Sequence, residues 1–127
     1  MRHPILLATV LVCSSALAAD FASRITEAKQ ASATREGAQY DAALVPYIGA
    51  AMRACIPPGS TDPANLGSFT LVGDVTGTGT VQSVAVEPQT KVSSCFAEHF
   101  STSILPNPPV ATGGNGYPIA VEMRVAP

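Results

Sequence analysis

The fold is decided by the stretch SFTLVGDVTGTGTVQSVAVEP, residues 68–88. Its first eight residues alternate between apolar and polar or small side chains, and its last part is rich in β-branched residues up to Pro88. A glycine-rich segment, residues 76–79, separates the two runs. Two such runs joined by a short glycine-rich connection predict a β-hairpin, which the proline ends. The apolar positions expected on one side are Phe69, Leu71 and Val75 in the first strand and Val84 and Val86 in the second.

A helix and a third strand follow the hairpin. Residues 90–105 return to helical spacing, and the prolines from Pro106 onward stop the helix. After a glycine-rich loop at residues 111–116, the sequence YPIAVEMRV, residues 117–125, alternates at a period of two and predicts a strand with one buried face. The predicted helix face consists of Val92, Cys95, Phe96, His99, Phe100, Ser103 and Ile104.

Two helices are predicted ahead of the hairpin. Residues 19–36 are rich in good helix formers, and Gly37 is expected to end this first helix. Residues 38–56 carry apolar side chains at steps of three and four, which predicts an amphipathic helix. Pro46 lies inside that pattern, so it is expected to kink the helix or to mark where its main part begins.

The N-terminus has the pattern of a secretory leader. A short basic start precedes a nearly unbroken apolar run at residues 5–12, and small residues then lead to Ala18. We therefore expect a signal peptide at residues 1–18, cleaved after Ala18, and export to the periplasm. The apolar run is too short to span a bilayer, which takes about 20 residues. An uncleaved anchor, or a lipoprotein acylated at Cys13, are the alternatives.

The order of elements predicts an α+β domain. Residues 19–127 are expected to form a single unit, with a helical part at 19–59 and a strand-strand-helix-strand core at 67–126. Six basic and nine acidic residues remain after cleavage, with no basic cluster. Nucleic-acid binding needs a cationic footprint, so it is not expected. No membrane span is expected after cleavage either.

Cys55 and Cys95 are the two cysteines that would remain after cleavage. An even number of cysteines in an exported chain predicts a disulfide, and two free buried thiols are the alternative.

No catalytic constellation is visible in the sequence, so we expect a protein that is not an enzyme. His99 is the single histidine after the leader, and its place beside Phe96 and Phe100 predicts a half-buried structural residue; a general base or pH sensor is the alternative. No cofactor is expected, and no metal site either, because both cysteines would be bonded to each other. Gly73, Gly77 and Gly79 are expected to be turn glycines rather than a phosphate-binding loop. The carboxylates that a glycoside hydrolase would need are scattered along the chain, at Glu87, Glu98 and Glu122.

Residues 69–125 resemble the C-terminal domain of TonB-type energy transducers. The resemblance is carried by the order of the segments FTLVGDV, TVQSVAVEP, VSSCFAEHFSTSI, LPNPP and YPIAVEMRV. It implies a three-stranded antiparallel sheet with a helix packed on one face. The cysteines in MRAC and SSC resemble related variants in which Cys55 pins the preceding helix to the helix behind the sheet. A transducer also needs a membrane-spanning N-terminus and a proline-rich stalk, so the resemblance implies a fold and a mode of contact rather than energy transduction.

The function predicted from these features is binding to another protein. The last strand is expected at a sheet edge, where it accepts a partner strand or pairs with a second copy of the chain. The alternative is that Glu122 and Arg124 merely protect that edge. One form is an immunity-type protein that neutralises a secreted antibacterial toxin. The alternatives are an envelope accessory factor that contacts outer-membrane proteins, and a small enzyme or ligand carrier centred on His99. The residues expected to contact the partner are Tyr117, Ile119, Val121, Met123, Pro108 and Asn115.

Overall fold

The chain folds as three helices and a three-stranded antiparallel sheet, which confirms the predicted α+β class. The structure is a computed structural model, and it describes residues 15–59, 67–110 and 115–125. The first 14 residues of the predicted leader and part of the glycine-rich loop lie outside the described residues. The elements are α1 (Ser15–Ser32), α2 (Arg35–Cys55), β1 (Gly67–Val75), β2 (Val81–Glu87), α3 (Lys91–Ser101) and β3 (Tyr117–Val125).

β1 is the central strand, and the order across the sheet is β2-β1-β3. The register of β1 with β3 is continuous from Gly67 opposite Val125 to Val75 opposite Tyr117. The register of β1 with β2 is interrupted by a bulge, at which Ser83 has a φ of 54°. A bulge inserts one extra residue and changes the phase of the side chains. It therefore lets three apolar residues at uneven spacing lie towards the same core, namely Val81, Val84 and Val86.

One face of the sheet packs against α2 and α3. The ring of Phe96 in α3 is fully buried and lies 5.3 Å from the ring of Phe69 in β1 and 5.5 Å from the ring of Phe100, measured between centroids. The helix begins with a capping box, in which Thr90 and Ser93 each accept a hydrogen bond from the backbone N–H of the other. Helix α2 adds Tyr40, Leu44 and Ala51 to the same core.

The opposite face of the sheet is covered by α1. Val72 alternates with the core residues of β1 and is only 1% exposed, while Phe21 and Ala28 of α1 are buried. Asp74, on the same face as Val72, pairs with Arg24 of α1. The resemblance implied a helix on one face only, which α3 supplies. Helix α1 makes the fold three layers deep: α1, the sheet, and the layer of α2 and α3.

The break between α1 and α2 lies at residues 33–34, so the expectation that Gly37 ends the first helix is wrong. Thr34 caps α2, since its side chain accepts a hydrogen bond from the Gly37 N–H at 3.0 Å. Gly37 is buried inside the first turn for a steric reason. A Cβ there would collide with the Ala31 carbonyl and lie 2.8 Å from the Tyr117 hydroxyl.

Two further boundaries differ from the sequence prediction. Helix α2 is continuous from Arg35 to Cys55 with Pro46 inside it, so Pro46 does not mark where the helix begins. Helix α3 ends at Ser101 rather than at residue 105, because the chain then leaves the helix to form a bridge between Ile104 and Thr80. None of the helices in the described ranges is both long and apolar enough to cross a membrane.

Candidate binding edge

β3 offers a regular open edge. It pairs with β1 along all nine of its residues, and no strand within the described residues pairs with its other side. Pro118 has no N–H, and proline is tolerated in an edge strand when its nitrogen faces away from the neighbouring strand. Because backbone groups alternate in direction along a strand, the N–H groups of Ala120, Glu122 and Arg124 then point outward with it. This edge can therefore donate and accept main-chain hydrogen bonds.

The other edge of the sheet is less suited to pairing. β2 is interrupted by the bulge at Ser83, and bulges disrupt pairing. At its start, Thr80 is already bridged to Ile104, and the Leu105 N–H donates to the Gly79 carbonyl at 2.9 Å. Of the two edges, β3 is thus the one without a bulge, and no described strand pairs with its outer side.

Most of the side chains predicted to bind a partner do not point to this edge. Tyr117, Ile119 and Val121 are 5%, 3% and 7% exposed and belong to the core, and Met123 packs partly against that core. The backbone of β3, rather than these side chains, is therefore what a partner strand can reach. The other two residues predicted to contact a partner, Pro108 and Asn115, lie before β3. Pro108 is half-buried and Asn115 is exposed. The Asn115 carbonyl accepts a hydrogen bond from the Gln82 side chain at 3.0 Å.

The exposed side chains of β3 are charged. Glu122 forms an ion pair with Lys29 of α1 at 3.5 Å, and both side chains are more than 60% exposed. Such exposed pairs contribute about 0–1 kcal/mol, so this one adds little to the docking of α1. Arg124 is the second exposed charge on the strand.

A groove of about 980 Å³ lies beside the start of β3, between α1, the first turn of α2 and residues 109–110 and 115–118. Four carboxylates line it against one arginine: Asp20, Glu27, Glu36 and Asp74, with Arg24. Burial raises the pKa of Asp74, and nearby Glu27 raises it further, while Arg24 acts in the opposite direction. The groove is therefore acidic, and it favours a cationic group on whatever enters it.

Arg24 holds α1 to the sheet at this groove. Its guanidinium lies 3.4 Å from the Asp74 carboxylate and donates to the Ser83 carbonyl at 2.5 Å. The carbonyl is available because the bulge at Ser83 takes it out of the regular ladder. This contact could not be predicted from the sequence, since a single arginine on a helix is ordinarily solvent-exposed.

Two tyrosines fix the start of β3. The ring of Tyr117 meets the ring of Tyr40 edge to face, with centroids 5.3 Å apart, and the Tyr40 hydroxyl donates to the Pro106 carbonyl at 2.9 Å. Burial, with a further contribution from Tyr117, raises the pKa of Tyr40 to about 12. The Tyr117 hydroxyl is buried without a hydrogen-bond partner among the described residues. Burial and Asp41 raise the pKa of Tyr117 as well.

Cys55 and Cys95 form a disulfide that joins the end of α2 to α3, as the sequence predicted. His99 is exposed, so the expectation of a half-buried histidine is wrong. Phe96 and Phe100 occupy the centre of the buried face of α3, and His99 lies at its rim beside the disulfide. Its ring and the two sulfur atoms are within 4.8 Å of one another.

Comparison with known proteins gives no relative: no family model, no curated protein and no solved structure matches this chain. The resemblance to the TonB C-terminal domain therefore stays a prediction.

Proposed function

We propose that this protein is an exported binding module in which β3 accepts an extended segment of another protein as a fourth strand. The observation that supports this most directly is the uninterrupted register of β3 along β1, next to an edge that carries no bulge. Addition of a strand to an open edge is a recurring mode of peptide recognition.

Main-chain pairing alone gives such a complex little affinity. Three outward-facing residues of β3 can exchange about six hydrogen bonds with a partner, each contributing roughly 0.5–1.5 kcal/mol. Ordering the incoming segment costs about 1–2 kcal/mol per residue, which offsets most of that gain. The pairing therefore sets direction and register, and side-chain contacts have to supply the rest. The acidic groove beside the start of β3 favours a partner that carries lysine or arginine there.

Export to the periplasm is part of the proposal. It is supported by the leader pattern in residues 1–18 and by a disulfide, which is typical of oxidising compartments. In that setting a toxin-neutralising role and a role as an envelope accessory factor use the same edge, and they differ in the partner: a secreted toxin in the first, an outer-membrane protein in the second.

Proline substitution on the edge tests the proposal. Glu122→Pro removes an outward N–H from β3, whereas Glu122→Ala removes the same carboxylate, and the ion pair with Lys29, while keeping that N–H. Tagged wild-type protein and tagged Glu122→Ala, each expressed in the native periplasm, should retain the same partner. Tagged Glu122→Pro should lose that partner. Circular dichroism of the two variants checks that both are folded.

A second matched pair, Arg124→Pro and Arg124→Ala, repeats the test two residues along the strand. A partner retained equally by the proline variants, or no partner in any sample, would contradict binding at this edge. A second copy of the same chain as the only partner, measured by light scattering, would replace the proposal by a homodimer. The identity of a retained partner then separates the toxin from the outer-membrane protein.

A further inference from the structure

Three metal-ligating side chains meet where α2 ends on α3. Cys55 is the last residue of α2, and Cys95 and His99 lie one turn apart on α3. Residues four apart share one face of a helix, so the Cys95 and His99 side chains project together towards Cys55. The two sulfur atoms and the nearest ring nitrogen of His99 are all within 4.8 Å of one another.

These distances are close to those of a zinc site. With Zn–S of about 2.3 Å and Zn–N of about 2.0–2.1 Å, tetrahedral ligands lie about 3.8 Å apart from sulfur to sulfur and about 3.6 Å apart from sulfur to nitrogen. Opening the disulfide lets the sulfurs separate to ordinary contact distance, and a shift of about 1 Å brings the histidine ring into place. His99 is exposed, so its ring has room for that shift.

We propose that reduction of the Cys55–Cys95 disulfide converts this cross-link into a Zn²⁺ site. The two thiolates and the His99 imidazole supply three protein ligands, and water takes the fourth position. Thiolate and imidazole together are a donor set that zinc binds well. The site lies in the layer of α2 and α3, so it does not depend on the proposed binding edge of β3.

The conversion requires a dithiol reductant. The dithiol transfers two electrons and two protons to the disulfide, which leaves two cysteine thiols and converts the reductant into its own disulfide. Zn²⁺ then binds both sulfurs and releases the two thiol protons. The metal thereby restores a tie between α2 and α3 at the place where the covalent tie was lost.

Cobalt titration of the reduced protein tests this site. The protein is reduced without oxygen, freed of reductant and metal, and titrated with Co²⁺, which reports thiolate ligation by charge-transfer absorption and tetrahedral geometry by its d–d bands. We expect one Co²⁺ per reduced chain, displacement of that ion by Zn²⁺, and no binding by the oxidised protein.

His99→Ala is the decisive variant, because a role in the fold is not expected of an exposed ring. It should weaken metal binding by at least about 100-fold and alter the d–d bands. Glu98→Ala, an exposed neighbour on the same helix that lies outside the group, is the matched control and should bind as the wild type does. Metal binding unchanged by His99→Ala would overturn the three-ligand site.

The reduced chain can lose structure in the absence of metal, so a folding measurement accompanies the titration. Zn²⁺ should raise the midpoint of thermal unfolding of the reduced wild type, or restore its far-ultraviolet circular dichroism if the metal-free form is unfolded. Neither effect should occur with reduced His99→Ala at the same Zn²⁺ concentration. No stoichiometric uptake by the reduced wild type, in either measurement, would rule the site out.

Discussion

Removal of the disulfide should cost a large part of the stability of this protein. The change is the double substitution of Cys55 and Cys95 by alanine. The cross-linked residues are separated by 40 positions in the sequence. In the chain-entropy treatment, a loop of that length corresponds to about 4 kcal/mol at 25 °C, because opening it gives the unfolded chain more conformations. A small domain is stable by about 5–15 kcal/mol in total, so the loss is at least a quarter of that value.

Urea denaturation followed by circular dichroism measures this loss. With a denaturant dependence of about 1–2 kcal/mol/M, a loss of about 4 kcal/mol lowers the unfolding midpoint by roughly 2–4 M. The free energies should be compared rather than the midpoints, since a cross-linked chain exposes less surface when it unfolds. Wild-type protein reduced in the presence of a chelator is the control, and it should match the double variant.

A loss below about 1 kcal/mol would refute this reasoning. It would mean that the packing of Leu44 and Ala51 against the α3 layer holds the two helices equally well without the cross-link. With chelator, the reduced wild type should be as stable as the double variant. With added Zn²⁺, the reduced wild type should be the more stable of the two. That pair of results would separate the covalent contribution from the metal contribution.

Arg24→Met should weaken the docking of α1 on the sheet by about 1–3 kcal/mol, because it leaves the largely buried Asp74 without a counter-charge. Hydrogen exchange of the α1 amides should therefore accelerate. Unchanged exchange would show that the packing of Phe21 and Ala28 is enough to hold α1 in place. Burial raises the pKa of Asp74 in the folded state, so protonated Asp74 favours folding below pH 3.8, and this stability is lost as the pH rises through the folded pKa. Neutral Asp74 needs no counter-charge, so the free-energy cost of Arg24→Met should be smaller in acid than at neutral pH. Denaturation at both pH values measures the difference. Tyr40→Phe should cost about 1 kcal/mol at neutral pH through the lost hydrogen bond to Pro106. The pKa of Tyr40 is raised from 10.0 to about 12, so wild-type stability should fall between those pH values by roughly 2–3 kcal/mol, and a fall equally steep in Tyr40→Phe would contradict this assignment.

The elements that depend on local pattern could be predicted, and those that depend on long-range contact could not. β3 alternates almost without exception, and its predicted bounds, Tyr117 to Val125, are the observed ones. The break after α1 was misplaced because glycine is a common helix end, whereas Thr34 provides the actual cap and Gly37 is required by the close approach of Ala31. A steric requirement of that kind arises only when distant elements pack.

The same distinction applies to the candidate sites. The edge position of the last strand could be predicted because a three-stranded sheet has two open edges and this strand is long and carries few charges. The period-two pattern also places Tyr117, Ile119 and Val121 together on a buried face, so their side chains are not available to a partner strand. The proximity of His99 to the disulfide was equally within reach, since Cys95 and His99 are four residues apart on a predicted helix.

Helices cover both faces of the sheet, which is why the proposed binding site is an edge. Helix α1 takes the face that carries Val72, and the α2 and α3 layer takes the face that carries Leu71, so neither face of β1 presents an apolar surface to solvent. The edge of β2 is already occupied at Thr80 and distorted at Ser83. Under the proposed function, a partner strand would bind the main-chain groups on the outer side of β3, with which no described strand pairs.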